Sequence, residues 1–564
     1  MSNRRLPRRP GGARPAGKVA LAAPAAALVA VGLLTAPASA HGLPRWAGHG
    51  TQLVPGNLLV STSSYQNDPA IVAGQTQLPP GCTSGNCVTA NAGGDYPYVF
   101  NNDLVDGSFG VTSKIVLQQL SPSGRPDGTI TVPDGGGSRD GDQLVTSFSS
   151  KSELALNQST SGRYVTFMGY VAPVDSVDVS NANTPGVIDP TNPVPGTDYR
   201  AVAQLGANGK FTFTETNAYS GNNGRTAILN DSDGADVYYT AGNAGNGSNP
   251  QPAGVVAGAG TQLIHPSHQP EAVQNPGAPT PAGSFSVTEL GDKADKIGKD
   301  DNFRGLTIFD HVVYYTKGSG SNGVNTVYFL DTTGKACPDG VGVPQPGAKL
   351  PTSPLAYDPA TLAADGLPSN MCILQGFPTE LAKASTAAPF GLWFANRDTL
   401  YVADEGDGSN SYDAATNTYT DAAGQTSAGL QKWVYDPSDQ TWHLAYTLQN
   451  GLNLGQPYAV PGYPTGDNPA TGLPWAPATD GLRNITGRVN ANGTVSIYGV
   501  TSTVSGGGDE GADPNQLVAV TDQLGATSAP SYERFRTVRP AIDDTVVRGV
   551  SFTPGTPTGD LSRR

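Results

Sequence analysis

A chain of 564 residues with 72 Gly, 47 Pro and only 14% charged residues excludes a helical bundle and describes many turns joining short strands. Its 47 acidic residues outweigh 33 basic ones, a net charge of −14 that argues against non-specific binding to nucleic acid or anionic membrane. Hydrophobic residues, at 37%, still provide a sizeable core, so the predicted class is all-β.

Residues 1–40 read as an export signal. Arg4, Arg5, Arg8, Arg9, Arg14 and Lys18 precede the apolar run VALAAPAAALVAVGLLTA, and APASA ends at Ala40. An uncleaved anchor is the competing reading. Arg4-Arg5 is similar to a twin-arginine signal while Leu6-Pro7 departs from it, so Sec and Tat export both stay open. Cleavage would remove six of the 33 basic residues and none of the 47 acidic ones, leaving 27 against 47 and a net charge near −20. No later run is long and apolar enough to span a bilayer, so a secreted monomer is expected.

After a linker at 41–55, one domain is predicted over 56–554, followed by a tail at 555–564. GNLLVSTSSY (56–65) is a strand with no partner before it, followed by KIVLQQL (114–120) and GTITVP (128–133). VVRGVSFTP (546–554) is a strand with no partner after it; three plus one makes a four-stranded sheet closed by the C-terminal strand. Four-run units then recur: a second at about 144–217, a third at about 224–290 ending in SFSVTEL (284–290), a fourth at 303–377 and a sixth at 483–539. The fifth is the clearest, with GLWFA (391–395), TLYVAD (399–404), LQKWVYD (430–436) and WHLAYTLQ (442–449) separated by turns. The expected fold is a six-bladed β-propeller, with a seventh blade the alternative if the poorly patterned 66–160 region hides one.

Pro389 to Glu405, PFGLWFANRDTLYVADE, resembles a blade of the NHL-repeat and gluconolactonase/regucalcin-like six-bladed propellers, which run Pro-x-Gly-apolar, a short turn, then Leu-Tyr-Val-Ala-Asp. The remainder is similar in strand order only. The metal-binding Glu, Asn and Asp of the lactonase family do not map onto residues here. A looser likeness to secreted actinobacterial proteins of unknown function adds no chemistry.

Four cysteines in an exported chain suggest two disulfides. Pairing Cys82 with Cys87 and Cys337 with Cys372 closes one loop in each case; a metal site is the weaker alternative, because Cys-x4-Cys has no second local pair or nearby histidines.

The long insertions mostly follow second or fourth strands, which places them on one face of the ring together with the beginnings of the first strands. The exception is 332–370, expected on the opposite face. Arg304-Gly305-Leu306-Thr307, Arg483-Asn484-Ile485-Thr486, Arg548-Gly549-Val550-Ser551 and, more loosely, Arg225-Thr226-Ala227-Ile228 put one Arg at the start of four of the innermost strands. Four guanidiniums around a channel mouth would suit an anionic sugar or another polyanion; the structural alternative ties each to a carboxylate of a neighbouring blade, with Asp300, Asp301, Asp543 and Asp544 nearby in sequence.

Asp404, Glu405 and Asp407, and Asp509, Glu510 and Asp513, should share that face. They would suit Ca2+ or an acid/base pair, or remain solvated loop charge. NDSDGAD (230–236) lacks the calcium-loop register and reads as a turn. His41 with His49 would offer a copper chelate after cleavage, and His265 with His268 at most two ligands, while His311 and His443 read as packing or surface residues. No nucleophile elbow, H-E-x-x-H, phosphate loop or dinucleotide fingerprint is present, so no catalytic residue is assigned. The expected function is ligand binding at the loop-rich face; a hydrolase, lactonase or polysaccharide lyase is the second reading.

Overall fold

The computed structural model describes residues 52–558 except for internal stretches, the longer ones being 79–87, 135–142, 177–197, 244–259, 267–280, 294–299 and 357–366, with 508–510 among the shorter. Strands dominate the described residues; the helices are one 3-10 turn, Val287–Leu290, and one α-helix of five residues, Thr420–Gly424. Residues 49–564 form one compact unit, and no helix among the described residues is long and apolar enough to cross a membrane.

From Gly224 onward, four sheets of four or five strands follow one another, each pairing its strands in chain order apart from one parallel edge strand, and a two-stranded ribbon, Tyr412–Asp413 with Thr418–Tyr419, lies within the third. The first comprises Gly224–Asn230, Val237–Gly242, Thr261–Ile264 and Pro281–Gly283. The second holds Leu306–Phe309, Val312–Lys317, Thr326–Leu330 and Met371–Leu374, with Val341–Gly342 added in parallel at its edge. The third holds Pro389–Asn396, Thr399–Asp404, Gly429–Asp436 and Thr441–Leu448, and the fourth Ala478–Val489, Thr494–Val504, Leu517–Gln523 and Arg536–Arg539.

The expected closure of the chain ends is present: Leu58–Ser64 pairs antiparallel with Thr545–Phe552 on one side and Thr112–Leu120 on the other, with Val60 opposite Val550. The strands expected to make two independent blades before Gly224 instead share one nine-stranded sheet. The cause is Val145–Ser147, which pairs with Thr112–Leu120 and also with Tyr170 of Tyr164–Tyr170. Asn157–Gln158 lies on the inner side of Tyr164–Tyr170.

Innermost strands touch in an unbroken circuit: Asn157–Gln158, Gly224–Asn230, Leu306–Phe309, Pro389–Asn396, Ala478–Val489, Thr545–Phe552, and back to Asn157–Gln158. This is a β-propeller arrangement. The residue after each motif arginine explains how tightly the circuit is drawn. A Cβ on Gly305 would fall 1.9 Å from the Phe390 carbonyl oxygen, and one on Gly549 2.5 Å from that of Leu154, so only glycine lets those backbones meet. Asn484 bridges instead, its Oδ1 accepting from Val550 N at 2.8 Å. Asn157 Nδ2 donates to Ala227 O at 3.2 Å, and Arg225 donates to Phe303 O.

Between sheets lie aromatic layers. Phe309 stacks on Phe394 with centroids 4.6 Å apart, Phe377 on Trp433 at 3.9 Å, and Phe303 packs between Tyr315 and Tyr328. Each buried ring contributes about 1.5–3 kcal/mol by leaving water.

SFSVTEL was expected as a strand but contains the 3-10 turn. Ser286 accepts from Thr288 N at 3.3 Å while Glu289 accepts from Ser286 N at 3.2 Å, a reciprocal cap that a strand does not offer. Cys337 and Cys372 are disulfide-bonded, as expected. Cys82 and Cys87 lie outside the described residues.

Candidate functional site: a plugged mouth and an open central cavity

All four motif arginines are buried. Arg483 Nε donates to Glu405 Oε2 at 3.0 Å, which brings together two residues singled out in the sequence and joins adjacent sheets. Arg225 Nε donates to Ser152 Oγ at 2.9 Å, and Arg548 to the carbonyls of Gly511, at 2.7 Å, and Phe148. Arg304 bonds Ser319 and lies 5.9 Å from the Phe390 ring centroid. Burial alone would raise the Glu405 pKa, but Lys151, Arg304 and Arg483 outweigh it and hold the carboxyl at about 2. Burial lowers Lys317 to about 7, helped by Arg304 and Arg225. Lys151, Arg304 and Arg483 therefore converge electrostatically on Glu405, and the mouth on this face is filled by charged side chains that bond one another and the backbone.

The nearby carboxylates serve the chain itself. Asp300 and Asp301 accept from Val287 N and Phe285 N, each at 3.0 Å. Asp404 is buried, accepts from Ala388 N at 2.9 Å and Gly406 N at 3.0 Å, and is pushed by burial up to about 6. Asp407 accepts from Ser409 N, and Asp513 from Ser505 Oγ. Asp509 and Glu510, the other two residues considered for calcium, lie outside the described residues.

Among the described residues, groups of three metal-capable side chains occur at Asp331, Cys337 and Cys372, where both sulfurs are in the disulfide, and at Asp436, Asp439 and His443 on the surface. Neither includes Asp404 or Glu405. Asp231, in the expected turn at 230–236, accepts from Ser161 N at 2.8 Å and from Thr160 Oγ1 at 3.1 Å, anchoring that turn to the one between Asn157–Gln158 and Tyr164–Tyr170. His265 is exposed; His41, His49 and His268 lie outside the described residues.

A charged pair that sequence reading missed is Glu153 with Arg200, both fully buried with Nη1 3.4 Å from Oε1. The guanidinium also stacks 4.4 Å from the Tyr170 ring centroid, and Nη2 donates to Asn222 O at 2.7 Å. Arg200 begins a strand without the Arg-Gly register, so it carries no motif to mark it.

The open space lies at the other end of the inner strands. A cavity of about 1710 Å³ is lined by the ends of the innermost strands and the turns that follow them. Thr307, Thr486 and Ser551 supply hydroxyls; Leu156, Ile228 and Ile485 are apolar; Asn157, Asn230 and Asn396 offer amides. Trp393 is half-buried in the wall, and Gly487 makes room for it: a Cβ there would lie 2.7 Å from the indole Cε3. The 332–370 excursion reaches this side, as expected, and contributes Lys349 and Leu350. It is held by the disulfide and by Tyr239, which donates to Pro351 O at 2.6 Å.

The lining has an unusual charge for so acidic a chain. Lys349 and Arg488 are exposed in it; Asp310, the acidic group among the described lining residues, is 3.1 Å from Arg397. His311 adds a titratable ring in the turn after Leu306–Phe309.

No family model matches the chain, and no curated protein matches it. Among solved structures it is similar to a GH74 enzyme of Niastella koreensis (10% identity, TM-score 0.30, covering 76% of this chain and 52% of that one). It is also similar to a polysaccharide lyase of family PL25, an ulvan lyase bound to a GlcA–Rha3S saccharide (11%, 0.29, 69% and 72%). A third is the cobalt-substituted ACO of Synechocystis (8%, 0.32, 88% and 92%). The chain spans about half the length of the GH74 enzyme, and at these scores the likenesses assign no activity.

Proposed function

We propose that this is an exported, monomeric six-bladed propeller that binds an anionic sugar or a similar polyanion in the central cavity. The six-blade reading takes the nine-stranded sheet as two blades joined by Val145–Ser147, and the circuit of innermost strands supports it. The observation that carries the binding reading is the contrast between the two ends of the channel. One mouth is filled by buried arginines with partners, whereas the other opens into about 1710 Å³ lined by an indole, hydroxyls, amides and two exposed cations. Concave sites that combine apolar walls with a few placed polar groups are where ligands are held. The binding site is therefore moved from the loop-rich face to the face of the short turns.

The second reading, a hydrolase, lactonase or polysaccharide lyase, is favoured by the adjacent carboxyls Asp404, at about 6, and Glu405, at about 2, a separation of the kind used for acid/base work. Both are buried in backbone and arginine bonds, so the binding reading is preferred.

A thermal-shift screen of the mature protein with neutral and acidic oligosaccharides, with and without calcium, tests both. A ligand at a hundredfold excess over Kd should add about 2.7 kcal/mol of stability. Thr486→Trp, which puts a bulky ring into the cavity lining beside Trp393 and Arg488, should weaken the shift. Failure of every saccharide to shift the midpoint would sink the cavity reading; a calcium-dependent shift that survives Thr486→Trp would return attention to the other face.

A further inference from the structure

Given that cavity reading, on which this inference rests, we infer that Lys349 and Arg488 are the two poles of one site for an acidic oligosaccharide, with Trp393 as the stacking platform between them. Lys349 arrives on the disulfide-held excursion that crosses to Tyr239 of the Gly224-initiated sheet, and Arg488 stands at the end of Ala478–Val489. In the circuit of innermost strands, Pro389–Asn396, which carries Trp393, lies between Leu306–Phe309 and Ala478–Val489. The two cations thus come from different elements of the wall of a large cavity, an arrangement that suits a ligand with more than one negative charge.

Three features point to a sugar chain carrying separated negative charges. Arg488 lies with its guanidinium 5.9 Å from the Phe552 ring centroid, supported on one face while the head remains exposed to the cavity. Trp393 offers a half-buried indole face, the surface that takes the apolar side of a pyranose, and Gly487 is the residue whose missing side chain admits it. Thr307 and Thr486, half-buried in the lining, supply hydroxyls that can donate to and accept from sugar hydroxyls. The chain as a whole carries −14, so a net positive lining works against the protein's own field and selects anions locally.

The test is a tryptophan-fluorescence titration of the full mature protein with trigalacturonate, galacturonate and maltotriose, in wild type, Lys349→Ala, Arg488→Ala and Trp393→Phe. Trigalacturonate should change the emission and bind at least tenfold more tightly than galacturonate or maltotriose. Each alanine variant should weaken it about tenfold and flatten its salt dependence, as loss of one charge contact does. Trp393→Phe should remove the spectral change. Both cations are exposed, so the variants should keep the wild-type melting midpoint. Equal binding of maltotriose and trigalacturonate, or binding of trigalacturonate unaffected by both alanine variants, overturns the two-pole site while leaving the cavity as a sugar site. Absence of a response to all three sugars, by fluorescence and calorimetry, overturns the two-pole site and the cavity reading together.

Discussion

Arg483 and Glu405 meet at 3.0 Å with both side chains buried, and each comes from a different sheet. Such a pair is worth little against an apolar replacement of the same shape, yet removing one partner strands the other in a low-dielectric interior. Glu405→Ala should therefore cost about 3–5 kcal/mol, whereas a repacked Glu405→Leu/Arg483→Met double variant should recover most of that loss. Urea unfolding of the single and double variants measures the difference. Equal losses in both would show that the pair is not acting as a coupled tie.

Gly305 makes the sharpest steric prediction. The alanine methyl would be placed 1.9 Å from the Phe390 carbonyl oxygen, which is backbone and cannot swing away. Gly305→Ala should destabilise by about 1–3 kcal/mol or more as the two inner strands are forced apart. Gly525→Ala, at a site where nothing lies within 4 Å, should leave the midpoint unchanged and serves as the control.

Stability should fall as pH rises from about 4.5 to about 7. Burial and the neighbouring Asp522 carboxylate push Glu533 up to about 7 from an ordinary value of 4.5. The folded state thus holds a proton that the unfolded chain has released, and the slope of stability with pH is negative in that window. Asp404, raised to about 6, acts in the same sense, while Glu405, held at about 2, contributes stability that is lost only as pH falls through the acid range. Glu533→Gln should flatten the 4.5–7 slope in a series of denaturant midpoints; an unchanged slope would refute the assignment to Glu533. The site has a clear architecture: Lys432 bonds Asp522 at 2.9 Å, and Tyr401 and Tyr446 donate to the same carboxylate across the sheet boundary.

Cys337→Ser/Cys372→Ser should lower stability by about 2–4 kcal/mol, the usual range for a crosslink of this loop size. It should also speed trypsin cleavage after the exposed Lys349, because the excursion then keeps its edge pairing at Val341–Gly342 and its contacts around Pro351 and Leu350 but loses its covalent tie. Mass-mapped limited proteolysis reads the second effect independently of any ligand.

Much of the ring was legible because one short register repeats: an arginine at the mouth, a residue that touches the next inner strand, an apolar core residue, then a hydroxyl facing the channel in the best copies. Arg304, Arg483 and Arg548 carry it, and the structure shows why the second position is Gly305, Asn484 or Gly549. Asn157–Gln158 escaped notice because its inner-strand role rests on two residues and on contacts with Thr226 and Ala227, distant in sequence. Val145–Ser147 escaped for a related reason, since a three-residue strand carries no periodicity to reveal that it bridges two neighbours. The cavity was not legible at all. It is assembled from the far ends of inner strands and from Lys349 and Leu350 of the excursion, and no local pattern records that those ends leave a space.

The pairing of Leu58–Ser64 with Thr545–Phe552 has a consequence for biosynthesis. Leu58, Leu59 and Val60, fully buried in the folded protein, reach their second neighbour only after Thr545–Phe552 has been made. At about 5–20 residues per second that wait is roughly 25–100 s, during which a sticky apolar edge is available to any passing strand. A pause at any codon between these two strands would lengthen that exposure equally, so slow codons ought to be selected against throughout that interval.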